Sequence, residues 1–252
     1  MIFSASIPFR RGHVPARRRS PWATLPAALV AAVLLSVFGC KRFISSGNDM
    51  REALAKYEQG AEARLKPRFE RAGVPYPPEA LAFLAFKAEK RFELWASAKG
   101  RWKLVHTYKV KAASGVSGPK LREGDEQVPE GIYKVVVFNP KSKFHLSMGL
   151  NYPNEFDLKY ARKESRDEPG SDIYIHGRAA SIGCLAMGDP AIEELFVLAA
   201  KTGKEKIKVV IAPHDMRIAP ARTPAVNRPW VPELYANIQR ELKPFAVGRV
   251  GR

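Results

Sequence analysis

The chain has 252 residues, 46% of them hydrophobic, enough for one ordinary domain with appendages or two small ones. Its 42 Lys and Arg against 25 Asp and Glu give a net charge of +17, which favours anionic partners, nucleic acid first among them. There is no zinc-finger spacing, no RNP-like aromatic cluster and no arginine-rich recognition helix, so nucleic acid is not expected and the basic surface suits an anionic envelope or is simply solvated.

Part of the imbalance is local. The first 42 residues hold seven of the cations and no acid. "RRGHVPARRRSPW" reads as a basic n-region and "ATLPAALVAAVLLSVFGC" as an apolar stretch of signal-peptide length, near the lower limit for a membrane span. Arginines on the N-terminal side place that end in the cytoplasm and send the remainder across the membrane. "VFGC" resembles a lipoprotein cleavage box with Cys40 as the lipidated residue, although Phe38 is bulky for its position. Residues 1–40 are therefore expected to be a signal peptide or an anchor, and the protein to sit in the cell envelope, periplasmic or held at the membrane.

Residues 41–79 read as a polar tether followed by an amphipathic helix over 49–72. Leu54, Tyr57, Ala61, Leu65 and Phe69 recur at three- and four-residue steps, and Pro67 is expected to interrupt the helix. From residue 80 short runs rich in aromatic and β-branched residues predict strands: "LAFLAFK", "RFELWA", "WKLVHTYKV", "GIYKVVVF", "FHLSMGL", "DIYIHG" and "KIKVVIAP". "AEKR" and "SAKG" suit tight connections. The Gly- and Pro-rich stretch between Val116 and Gly131 is too polar for a strand and predicts an extended, ordered loop. One helix should run from Asp189 as N-cap, with Pro190 in its first turn, to Gly203. Residues 213–252 form a Pro- and Arg-rich tail with a short helix at "VPELYANIQREL". The expected fold class is mainly β with a few helices (α+β).

The chemistry concentrates in "IHGRAASIGC", where His176 precedes Cys184 by eight positions. Exported compartments are oxidising and cysteines there usually pair, yet a lipidated or membrane-held Cys40 leaves Cys184 without a partner. A buried inert thiol and a reactive one both stay open. For the reactive reading, His176 ends a predicted strand, a seven-residue connection returns the chain to Cys184, and Gly183 allows a tight turn whose amides hold an oxyanion. Ser181 satisfies the loop internally or meets substrate. Thiol alkylation should then stay fast well below the ordinary cysteine pKa of roughly 8.5. Zinc needs three or four ligands at recurrent spacings, which the segment lacks, so no metal and no other cofactor is expected.

"IHGRAASIGCLAM" closely resembles the catalytic segment of the L,D-transpeptidase (YkuD-type) family, specifically its YafK-like branch. "SGPKLREGDEQVPEGIYKV" and "FHLSMGLNYPNEFD" extend the likeness over residues 80–212 in consistent order. The resemblance implies a catalytic domain over 80–212, a β fold flanked by N- and C-terminal helices, and an enzyme working on diaminopimelate-containing peptidoglycan stem peptides. It implies Cys184 as the thioester-forming nucleophile, His176 as general base and Gly183 in the oxyanion turn. Two positions depart from the wider family: Ile182 stands where a histidine is usual, and Ala186 where an arginine or asparagine is usual. The YafK-like branch shares the apolar C-x-A-M continuation and resembles an amidase that detaches a murein-linked lipoprotein.

Arg122, Glu123 and Asp125 are candidate contacts for zwitterionic diaminopimelate, or else a local salt-bridged turn. Tyr174 lies two residues before His176 on the same strand face, beside the imidazole or in the core. His106 and His145 read as structural strand histidines, Trp95 and Trp102 as packing. The favoured function is amide hydrolysis, releasing a murein-linked lipoprotein. Cross-linking L,D-transpeptidation is the alternative, and a non-catalytic peptidoglycan-binding module is the alternative of another class.

Overall fold

A computed structural model describes residues 47–245. The 1–40 segment and Cys40 lie outside the described residues. Helix α1 (Gly47–Ala72) leads into three antiparallel strands, β1 (Ala80–Phe86), β2 (Arg91–Ala98) and β3 (Arg101–Lys109). The long loop follows, then β4 (Gly131–Asn139), β5 (Ser147–Leu150), α2 (Glu155–Lys163), β6 (Tyr174–His176), β7 (Leu185–Ala186), α3 (Asp189–Thr202), β8 (Ile207–Ala212) and α4 (Val231–Leu242). The eight strands form one sheet in the order β3-β2-β1-β8-β4-β5-β6-β7, with parallel pairing only at β1–β8 and β6–β7. This is a mixed α+β fold: the helices hold 26, 9, 14 and 12 residues and carry as much of it as the strands do.

The unbroken apolar runs of β1 and β8 follow from burial on both faces. Leu81, Phe83 and Ala85 of β1 join Val209 and Ile211 of β8 on the face covered by α1 and α3. Ala82, Leu84 and Phe86 join Val210 on the other face, under Leu234, Tyr235, Ile238 and Leu242 of α4. The alternation of period two thus divides one strand between two cores.

Four local expectations are corrected. Helix α1 continues through Pro67, because Leu65 and Phe69 on either side are buried and Arg64 and Arg68 are ion-paired to Glu194; tertiary packing overrides the lost amide. "FHLSMGL" forms a strand only from Ser147, since His145 adopts φ +76° and turns the chain away from extended geometry. Helix α3 is capped by Gly188 at φ +81°, not by Asp189, whose Oδ1 instead accepts the Arg178 N–H at 2.7 Å. Helix α2 was not among the expected elements. Its signal is a capping box: Asn154 accepts from Phe156 and Asp157 N–H while Asp157 accepts from the Asn154 N–H. Among the described residues no helix is long and apolar enough to cross a membrane.

Candidate active site

The site is built where β6 and β7 run in parallel at the end of the sheet. The register pairs Ile175 with Leu185 and His176 with Ala186, which sets Cys184 opposite Tyr174. Cys184 therefore enters beside β6 two positions from His176 along that strand, with its sulfur on the Tyr174 N–H. Gly183, at φ +118°, makes the sharp entry into β7, a conformation that favours glycine.

The thiol is a free cysteine, half-buried. Its sulfur accepts the Tyr174 N–H at 3.4 Å and its S–H donates to the Asp172 carbonyl at 3.7 Å. Burial pushes the thiol above its ordinary value; the Tyr174 N–H pulls it down and the Asp172 charge pushes it further up. His176 is only 2% exposed, and burial lowers its pKa against the opposing Gly177 hydrogen bond. Among the described residues no hydrogen bond joins Cys184 to His176. Both shifts favour the uncharged forms, thiol and imidazole, over a preformed ion pair.

The histidine tautomer follows from its partner. His176 Nδ1 lies 2.6 Å from the Gly177 carbonyl, an acceptor only, so Nδ1 carries the hydrogen and Nε2 keeps the basic lone pair. The Phe144 ring packs against the imidazole, with ring centroids 4.7 Å apart and the planes tilted by 39°.

The nucleophile turn is fastened to the long loop by a pair of serines. Ser181 Oγ donates to the Cys184 carbonyl at 2.7 Å and accepts the Ser114 N–H at 3.2 Å. Ser114 Oγ donates to the Glu126 carbonyl and accepts the Gly183 N–H at 2.6 Å. The Gly183 amide is therefore occupied at rest, and its part in the turn is to build it rather than to stand open for an oxyanion. Ser114 escaped the sequence reading because it is 69 residues from Gly183, with no local pattern to mark it.

The loop itself is rigidly wired. Lys87 Nζ donates to the carbonyls of Val116 and Val128 and to Glu130, and the buried Glu130 also receives the Tyr235 hydroxyl of α4. Gln127 exchanges hydrogen bonds with Val116 in both directions. Asp125 serves the turn: it accepts Lys120 Nζ at 2.6 Å and the N–H groups of Leu121, Arg122 and Gln127. Burial opposes its ionisation, but these donors together hold its carboxyl below the ordinary range. Glu123 accepts from the Ser171 N–H and so ties the loop to the segment before β6. Arg122 is exposed. Asp125, ion-paired to Lys120, and Glu123, bonded to the Ser171 N–H, thus both serve the loop.

Two large apolar side chains near the site are exposed. Ile182, just before the Gly183 turn, is 76% exposed, and Phe144 is 42% exposed. His145 is held away from Cys184 by Glu193 at 2.9 Å, and His106 packs edge-on to Tyr108. Trp95 and Trp102 both pack against Phe245. A groove of about 440 Å³ between α2, β4 and α4, lined by Lys134, Asn151, Asn154 and Arg240 among others, shares no residue with the Cys184 site.

The L,D-transpeptidase catalytic domain (YkuD) family model matches residues 84–211, half of the chain. The candidate L,D-transpeptidase YafK of Escherichia coli (strain K12) is 32% identical over 136 residues, 52% of this chain and 53% of YafK, and the protein of that name from E. coli O157:H7 matches equally. The chain thus spans about half the length of the curated relatives it matches. Among solved structures, the helical cell shape determining protein Pgp2 from Campylobacter jejuni aligns with a TM-score of 0.44 at 21% identity, over 54% of this chain and 48% of Pgp2. Mycobacterium tuberculosis L,D-transpeptidase 1 aligns with a TM-score of 0.31 at 11% identity, over 53% of this chain and 62% of that one. With the match running from β1 to β8 and taking in the Cys184 turn, the chain belongs to the L,D-transpeptidase (YkuD) catalytic domain family.

Proposed function

We propose that the protein is a cysteine acyl-transfer enzyme of the cell envelope that cleaves an amide bond at diaminopimelate in peptidoglycan, releasing a murein-linked lipoprotein. The observation that carries this reading is the juxtaposition of a half-buried Cys184 thiol and a His176 whose Nε2 is the basic atom, where β6 and β7 pair. Similarity to YafK, which bears the name of an L,D-transpeptidase, supports the peptidoglycan acyl-transfer part of the reading. The exposed, apolar Ile182 beside the nucleophile offers no charge to a substrate carboxylate, which suits a bulky amide substrate over a free terminus.

In the proposed reaction, the Cys184 S–H proton passes to His176 Nε2 as sulfur attacks the carbonyl carbon. The C–N bond then breaks, the imidazolium protonates the departing amine, and a thioester remains on Cys184. Water, deprotonated by the same nitrogen, hydrolyses the thioester and restores the thiol; an amine in its place gives transpeptidation. In this reading residues 1–40 act as a cleaved signal peptide, a retained anchor or a lipoprotein anchor through Cys40, and the enzyme works at the periplasmic side of the membrane.

The test incubates purified muropeptides, free and lipoprotein-linked, with the wild type and Cys184→Ser. An acyl adduct by intact mass on the wild type alone, with released lipoprotein, is the expected result. New diaminopimelate–diaminopimelate cross-links would replace hydrolysis by transpeptidation. Equal binding by both proteins, with neither adduct nor product, would leave a binding module and overturn the enzyme reading.

A further inference from the structure

Helix α1 lies outside the span of the family model, which begins at residue 84, yet it reaches the proposed base through one loop. Residues 140–146 leave β4 and pass beneath α1. Lys141 is ion-paired to Asp49 of α1, and His145 packs edge-on to Tyr57 of α1 at 5.1 Å. His145 is also bonded to Glu193 of α3 at 2.9 Å. From the other side, Gly177 presses against the loop: its N–H donates to the Leu146 carbonyl, and a Cβ there would lie 2.7 Å from the Phe144 carbonyl. His145 is held at φ +76°, a conformation that favours glycine and persists in other residues only where surroundings over-determine it. What the pinning achieves is the placement of Phe144 against the His176 imidazole, with its ring still 42% exposed.

We propose that Phe144 is a positioning residue for His176, and that α1 takes part in the active site by pinning the 140–146 loop that carries it. The inference rests on the reading of His176 as the base. Phe144 excludes water from one face of the imidazole while the Gly177 carbonyl fixes its edge, so the ring has one orientation with Nε2 presented. No charged side chain sets the His176 titration; burial and the Gly177 bond are its two causes. Around His145 the facing groups are Glu193 and Tyr57.

The experiment compares the full-length wild type with Phe144→Ala, Phe144→Tyr and Tyr57→Ala, reading kcat and KM on the lipoprotein-linked muropeptide and the imidazole titration by NMR of ¹³C-histidine-labelled protein, assigned with His176→Gln. Because Phe144 is part-exposed, Phe144→Ala should keep the wild-type melting temperature within a few degrees. Expected is a fall in kcat of about 10- to 100-fold with KM nearly unchanged, the range that misplacement of a base costs. The His176 titration should move up toward the free imidazole value of about 6.5. Phe144→Tyr, which keeps the ring, should recover both. Tyr57→Ala should move both in the direction of Phe144→Ala, to a smaller extent. A wild-type kcat in Phe144→Ala, or a loss of activity with the His176 titration unmoved, would overturn the proposal; Tyr57→Ala identical to wild type would remove α1 from it. The NMR measurement needs no turnover. A wild type that is inactive but shows the predicted titration shifts would therefore sink the enzymatic reading and leave the placement of His176 standing.

Discussion

Cys184 was legible in the sequence as the residue around which chemistry gathers; its ionisation state was not. A thiol eight residues from a histidine invites the picture of a preformed thiolate–imidazolium pair. Burial opposes it, raising the thiol and lowering the imidazole, so that the uncharged forms of both are favoured. Since the thiolate is the species that alkylates, the iodoacetamide rate at Cys184 should stay low at pH 7 and climb only above roughly 8.5, the range of a free cysteine. A rate already at its plateau near pH 6 would show an ion pair instead. The imidazole sign runs the other way: a lowered pKa keeps Nε2 unprotonated further into acid, so the acid limb of activity should fall below about 6.5. Ser114 shows the limit of reading by motif, because it holds the Gly183 amide from a loop far away in sequence.

Among the elements, β1, β2, β8 and the two terminal helices were legible because each buries a continuous run or a regular stripe of apolar side chains, and β3, which buries little besides Tyr108, by its aromatic and β-branched composition. Two elements escaped. Helix α2 is short and polar, and β7 has only two residues, too few to show any period. The register of β7 matters most for the site, and it comes from pairing with β6 rather than from its own composition. The course of α1 through Pro67 was likewise decided by its neighbour. Glu194 of α3, almost fully buried, receives Arg64, Arg68 and the Tyr108 hydroxyl, the last at 2.7 Å. Burial and the adjacent Glu194 charge keep the Tyr108 hydroxyl protonated well above its ordinary range. Glu194→Ala leaves these donors without their shared acceptor and should cost about 3–5 kcal/mol, the cost of breaking a buried pair. Urea denaturation of wild type and variant measures it, and a loss below about 1 kcal/mol would mean that α1 is held by its apolar stripe alone.

At the scale of the whole molecule, the sheet is covered on one face by α1 and α3 and on the other by α4, and of these α1 and α4 lie outside residues 84–211. Trp230, Leu234, Tyr235, Ile238 and Leu242 close the face presented by Ala82, Leu84, Phe86 and Val210. Tyr235 also reaches Glu130 at the end of the long loop, at 2.8 Å. A chain ending at Pro229 exposes that face and leaves Glu130 with one partner fewer, so it should lose its cooperative thermal transition and bind a hydrophobic dye. A sharp transition within a few degrees of the full chain would show that α4 is dispensable. The sequence by itself determined the α+β class, the basic N-terminal stretch, the long ordered loop and the Cys184–His176 segment, because hydrophobic period, turn residues and short motifs act over a few neighbouring positions. Only the tertiary structure decided that Ser114 braces the nucleophile turn, that Asp125 and Glu123 build the loop, that burial favours the uncharged thiol, and that Phe144 comes to His176 from a loop pinned by α1. Those facts depend on burial and on contacts between distant segments, which no local pattern encodes.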